Sequence, residues 1–250
     1  MKIGIISAVA EEIKTIHEDI HFDSKIEYVE RAFYFAKYNS TELVLVYSNV
    51  GKVSASITAS ILIEKFGVEQ IIFTGLAGAV SDKLNRGDII LCDATYQYDV
   101  DARPLCKEQF EIPPTGRRLF KLPKDQIDLA NTAITNFLKH LDKYVDLNEL
   151  KRLKVKKPNK HIGIIATGDK FIENVANYKE LFVEGINVLA VEMEGAAVAQ
   201  VCAEYKIPYT LIRIISDNAD NNALDSLQEF SVKIASHYAS GIIQEILNKI

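Results

Sequence analysis

Short apolar runs alternate along the chain with longer amphipathic ones. Residues 3–6 are apolar, interrupted only by Gly4, and predict a short buried strand. Residues 10–20, with Ile13 and Ile20 on the apolar side, predict a helix. Three strands are expected at 25–30, 32–38 and 42–48, with Asn39-Ser40 as a turn signal. Residues 51–66 predict a helix whose buried stripe holds Val53, Ile57, Ile61 and Phe66, with Gly67 as its stop. A buried strand at 70–74 leads into a glycine loop at 75–79, and Gly87-Asp88 opens a strand at 89–94.

The middle of the chain is less regular. Pro104, Pro113, Pro114, Gly116 and Pro123 make residues 98–124 read as a long loop. A helix is expected at 126–141, followed by a basic, polar, solvated connection at 151–160. Strands at 162–167, 188–191 and 209–215, a helix at 195–205 and a last helix from about Ser226 to Leu247 complete the pattern. Apolar strands separated by amphipathic helices predict an α/β fold with helices covering a central sheet. The early strand cluster makes that sheet mixed. No repeat or composition shift divides the 250 residues, so one domain spanning 1–250 is expected.

Composition narrows the classes. Hydrophobic residues at 48% and charged residues at 25% are the ordinary globular balance, which argues against disorder and coiled coil. The net charge of −5 argues against non-specific binding to nucleic acid or to an anionic membrane. Cys92, Cys106 and Cys202 form no metal or disulfide pattern, so no metal is expected and a reducing compartment fits. No apolar run reaches the ~18 residues of a membrane span. The start reaches Glu11 and Glu12 too soon for a signal peptide, so a cytoplasmic location is expected.

Ligands of open α/β sheets bind beyond the carboxyl ends of strands, so the residues just after each strand carry the candidate chemistry. These include Glu11-Glu12, Gly75-Leu76-Ala77-Gly78, Gly168-Asp169-Lys170-Phe171-Ile172, Glu192-Met193-Glu194 and Ser216-Asp217. Glu11 and Glu12 could simply favour a helix N-terminus, and Asp217 could be a turn or cap residue. Glu192 and Glu194 are harder to explain that way. At i and i+2 they would share a strand face in an apolar setting, where a carboxylate needs a partner or a ligand. Arg213, inside an apolar strand and of the same parity as Asp217, is the obvious partner for one of them. The glycines match neither a dinucleotide fingerprint nor a P-loop, and there is no HExxH or GxSxG motif. His17, His21, His140, His161 and His237 are scattered and read as structural or surface residues.

Taken in order, Met1–Ile6 with Glu11-Glu12, Val50-Gly51-Lys52-Val53, Thr74-Gly75-Leu76-Ala77-Gly78, Gly87-Asp88-Ile89, Thr167-Gly168-Asp169-Lys170-Phe171-Ile172, Val191-Glu192-Met193-Glu194-Gly195-Ala196-Ala197 and Arg213-Ile214-Ile215-Ser216-Asp217 resemble the bacterial 5′-methylthioadenosine/S-adenosylhomocysteine nucleosidases of the nucleoside phosphorylase superfamily. The resemblance covers nearly the whole chain. It implies a three-layer αβα fold, a homodimer, and hydrolysis of the N-glycosidic bond of an adenine thionucleoside, with water as nucleophile and no metal or organic cofactor. By match to the motifs, Glu12 would activate water and Asp217 would be the acid at the purine. Glu194 would hold the ribose hydroxyls and Met193 would pack on the sugar. Phe171 would stack on adenine, the Ile172 backbone would bond its edge, and Ala77 and Gly78 would form the floor. Glu192, Arg213 and Ser216 are expected to complete the substrate site. Where the family usually has a serine beside the acid, this chain has Leu76.

Three alternatives remain open at this stage. A phosphorylase of the same superfamily would need an anion site, and Arg86 is the only arginine close in sequence to the glycine loop. A nucleosidase with another substrate, such as 6-amino-6-deoxyfutalosine, would share the same residues. A protein that binds adenine nucleosides without cleaving them is the third.

Overall fold

In the computed structural model, which describes residues 1–8, 10–113, 115–172, 177–178, 181, 185–217 and 229–250 (Asp217 by its backbone alone), β1 (Lys2–Ser7) is the organising strand. It pairs in parallel with β4 (Thr41–Tyr47) on one side and β5 (Gln70–Thr74) on the other. Strand alternation sends Ile3 and Ile5 to one core and Ile6 to the other. Helix α1 (Ala10–Asp19) follows directly, with two acidic residues in its first turn. An antiparallel extension is built by β2 (Ser24–Tyr28) and β3 (Arg31–Tyr38), as their pattern predicts.

The other half of the sheet curls on itself. It contains β6 (Leu76–Ala79), β7 (Ile89–Gln97), β8 (Phe120–Lys121), β9 (Lys160–Thr167), β10 (Val188–Glu192) and β11 (Tyr209–Asp217). The strand order is β2-β3-β4-β1-β5-β11-β6-β10-β9-β7-β8, and β11 pairs with β7 as well. Consequently β11, β6, β10, β9 and β7 form a closed ring on one side of an open, mostly parallel sheet. The sheet is mixed, as expected.

Helices cover both faces. On one side α2 (Lys52–Glu64) and α5 (Gly195–Tyr205) share a core with Ile6, Val44, Phe73 and Leu211. On the other, α1, α3 (Lys124–Lys139) and α6 (Ser236–Leu247), with a π-turn at Ser231–Ala235, pack over Ile3, Ile5, Ile72 and Ile214. The resulting architecture is the three-layer α/β fold that the sequence predicts.

Three expectations need correction. The glycine segment 75–79 is largely strand β6, because Ala77 and Gly78 pair with β11 and Gly78 and Ala79 with β10. The buried stripe of α2 is Ala55, Thr58, Ala59 and Leu62, while Val53 is 71% exposed and Ile57 39% exposed. The connection at 151–160 begins within a short helix, α4 (Leu147–Arg152), and buries Leu153 and Val155 with Leu150. The last helix was expected from about Ser226, which lies outside the described residues.

Candidate active site

Parallel pairing sets the site at the carboxyl ends of β1 and β5. The register aligns Ser7 with Thr74, the polar residues that close two apolar strands. Both hydroxyls donate to Glu12 Oε2 from the first turn of α1, Ser7 Oγ at 2.5 Å and Thr74 Oγ1 at 2.8 Å. Glu12 is fully buried, and its Oε1 has no hydrogen-bond partner among the described residues. Burial raises its pKa to about 7, against the two hydroxyls and the Arg213 charge, which lower it. Gly75 lets the chain pass close to its neighbours here: a Cβ there would sit 2.8 Å from Ala8 Cβ and 3.3 Å from the Arg213 guanidinium.

Alongside lies a cavity of about 220 Å³, whose lining includes Ala8 but not Glu12. Ala77, Gly78, Phe171, Ile172, Glu192, Met193, Glu194 and Ser216, all expected at the substrate, line it. Leu76 and Lys170, from two of the candidate segments, line it too, as do Ala8, Val50 and Val191. Phe171 is 43% exposed at the mouth, while Ile172 is buried. The lining is mainly apolar with a few converging polar groups, the usual make-up of a small-molecule site.

The two glutamates after β10 do not share a strand face. Strand β10 ends at Glu192, and Glu194 already caps α5. The Glu192 carboxylate accepts from Thr167 Oγ1, from Glu194 N at 3.1 Å, from Gly195 N at 2.7 Å, and from Arg213 Nη2 at 2.6 Å and Nε at 3.2 Å. Arg213 is wholly buried, with its guanidinium 4.2 Å from the centre of the Phe73 ring. Arg213 is not among the residues lining the cavity, contrary to its expected place at the substrate; its charge is spent on Glu192. Glu192 borders the cavity with a carboxylate already saturated by its neighbours.

Glu194 accepts from the Gly51 N–H at 2.9 Å. Burial first, and then the neighbouring Glu192 charge, push its pKa up. Gly51 adopts φ 92, a conformation that favours glycine, and this aims its N–H at the carboxylate.

Asp217 closes β11, and its backbone pairs with Gly78 on the cavity wall. A bulge between Ile215 and Asp217 breaks the strand parity expected with Arg213. The side chain of Asp217 lies outside the described residues. Ser216 Oγ reaches Ala77 O at 3.5 Å. Of the residues bonded to the candidate acids, Ser7, Thr74 and Gly51 were missed as partners; polar residues at the ends of apolar strands are the signal that could have found the first two. Among the described residues no cluster of His, Cys, Asp and Glu could hold a metal ion.

Fold and site together define an α/β enzyme with a small-molecule pocket at its strand ends, served by buried carboxyl groups. The chain belongs to the phosphorylase superfamily, whose family profile matches residues 2–248. It is 37% identical to the aminodeoxyfutalosine nucleosidase of Campylobacter jejuni over 98% of this chain and 97% of that one. It is 36% identical to a 5′-methylthioadenosine/S-adenosylhomocysteine nucleosidase of Buchnera aphidicola over 100% and 99%. A solved Helicobacter pylori nucleosidase variant with 5′-methylthioadenosine in its active site superposes with a TM-score of 0.83 at 28% identity, covering 100% of this chain and 99% of that one.

Proposed function

We propose that this chain is an N-glycosyl hydrolase that releases adenine from 5′-methylthioadenosine, S-adenosylhomocysteine or a related 5′-substituted adenine nucleoside. The observation that carries this reading is Glu12: a fully buried carboxyl beside two strand ends, with one oxygen tied by two hydroxyls and the other without a hydrogen-bond partner among the described residues. Such an oxygen, on a group whose pKa is raised to about 7, suits a general base that must take a proton from water near neutral pH.

The chemistry divides between two groups, as in glycoside hydrolysis. Adenine leaves once N7 is protonated, which is the role of Asp217. Glu194 accepts both ribose hydroxyls of the bound nucleoside, holding the sugar on which positive charge then builds. Water, oriented by Glu12, attacks from the opposite face. Phe171 stacks on adenine, the Ile172 backbone bonds its edge, Met193 packs on the sugar, and Ala77 and Gly78 form the floor. Ser216 completes the wall, and the Glu192–Arg213 pair supports it from behind. The reaction uses no metal or organic cofactor.

Water rather than phosphate is favoured as nucleophile by the position of Arg86. Its guanidinium lies 4.6 Å from the centre of the Phe230 ring and is not among the residues lining the cavity. The Campylobacter relative favours aminodeoxyfutalosine as a further substrate. We read the protein as one nucleosidase domain over 1–250 and as a cytoplasmic homodimer. The dimer reading is supported by the exposed apolar row Val50, Val53 and Ile57 at the start of α2. No helix among the described residues is long and apolar enough to cross a membrane.

A panel of methylthioadenosine, S-adenosylhomocysteine, aminodeoxyfutalosine and adenosine, assayed for adenine release, tests the reading. Turnover of at least one 5′-substituted nucleoside is expected, and Asp217→Asn should nearly abolish it while leaving the fold intact. Tight binding of methylthioadenosine with no adenine formed would instead make the protein a binding module.

A further inference from the structure

Lys52 of the Val50-Gly51-Lys52-Val53 motif has no role in the chemistry above, yet it sits at a junction. Strands β7 and β9 run in parallel, and their register ends on Gln97 opposite Thr167. Two residues further on, each strand presents an aspartate, Asp99 and Asp169. The Asp169 N–H donates to Asp99 Oδ2 at 2.9 Å, which ties the two segments together. Lys52 reaches both carboxylates: Nζ is 2.6 Å from Asp99 Oδ1 and 4.0 Å from Asp169 Oδ2. The Lys52 backbone N–H also donates to Asp169 Oδ1 at 2.8 Å. Lys52 and Asp99 have side chains only 15% and 16% exposed, so this pair is screened less than a surface ion pair.

The neighbours of this junction are site residues. Gly51 precedes Lys52, and its N–H aims the Glu194 carboxylate. Phe171 at the cavity mouth follows Asp169 by two residues. We infer that Lys52 is a positioning residue: by tying the start of α2 to the segment after β9 through Asp99 and Asp169, it fixes the Gly51 N–H that holds Glu194 and the Phe171 platform relative to one another. This rests on the nucleosidase reading, in which Glu194 meets the ribose and Phe171 the adenine. Both contacts are made before the bond breaks, so loss of the strap weakens substrate binding more than the chemical step.

The test is steady-state adenine release by wild type, Lys52→Met, Lys52→Arg, Asp99→Asn and the Lys52→Met/Asp99→Asn double variant. Lys52→Met and Asp99→Asn are each expected to raise KM about tenfold with kcat within about threefold, the signature of lost uniform binding. Lys52→Arg is expected to keep KM within about threefold. The double variant should be little worse than either single one, because both cut the same link. An unchanged KM in Lys52→Met, additive losses in the double variant, or a lowered melting temperature with KM intact would each overturn the inference and leave an ordinary structural ion pair. Should wild type release no adenine from any nucleoside, the nucleosidase reading fails by itself. The strap is then judged by calorimetric binding of methylthioadenosine, where equal affinity of wild type and Lys52→Met overturns it.

Discussion

Two buried glutamates a few strands apart have opposite surroundings. Glu192, at the end of β10, accepts from a guanidinium, a hydroxyl and two backbone N–H groups, and its partner Arg213 is wholly buried with it. Glu12, in the first turn of α1, is just as deep, yet among the described residues only one of its oxygens is engaged, and its pKa is raised to about 7. A carboxylate whose lone pairs are all taken can organise a wall but has little left for a substrate. A carboxylate kept short of partners stores a proton affinity that chemistry can use. Burial alone therefore does not separate structural from reactive acids; the count of donors does.

The largest expected effect concerns the under-satisfied acid. Glu12→Gln keeps the shape and removes the base, so adenine release should fall about 10²–10⁴-fold with substrate binding largely kept. An unchanged rate in single-turnover assays would remove Glu12 from the mechanism. For the saturated acid the effect should fall on stability instead. Arg213→Met leaves Glu192 charged and unpaired, and should cost about 3–5 kcal/mol in denaturant unfolding. A loss below ~1 kcal/mol would mean that the pair does not hold the wall.

Stability against pH sharpens the contrast. Between about pH 4.5 and about pH 7 folded Glu12 keeps a proton that the unfolded chain has lost. Its contribution to stability therefore falls as pH rises through that window and is level above it. Glu12→Gln abolishes the fall, so this variant should be more stable than wild type by about 1–3 kcal/mol at pH 8 and equal to it near pH 4. Unfolding curves at the two pH values check this, and equal stability at pH 8 would contradict the raised pKa. The smallest effect is expected from Thr74→Val, which removes one of the two hydroxyls that lower the Glu12 pKa. The acid limb of kcat/KM should move up by about one pH unit, from the worth of a hydrogen bond to a charged group.

Much of this arrangement is legible in the sequence. The strand β1, the helix α5 and the acids that follow β1 and β10 emerge from apolar runs that end in polar residues. Arg213 is legible as a partner because a charge inside an apolar strand demands one. Three features are not legible, for physical reasons. The stripe of α2 misleads because periodicity marks an apolar face without saying whether the chain's own core or another surface covers it. β6 hides because glycines suit both a turn and a strand squeezed between two others. The link from Lys52 to Asp99 and Asp169 joins residues up to 117 positions apart, and no local pattern encodes such a pairing.

The central claim is that Glu12, in the first turn of α1, delivers water to the sugar. The most direct measurement is adenine release from methylthioadenosine in oxygen-18-labelled water, with and without phosphate. The account predicts the same rate in both, with one labelled oxygen on the anomeric carbon of the freed thioribose. Release only when phosphate is present, with an unlabelled sugar 1-phosphate as product, would contradict it.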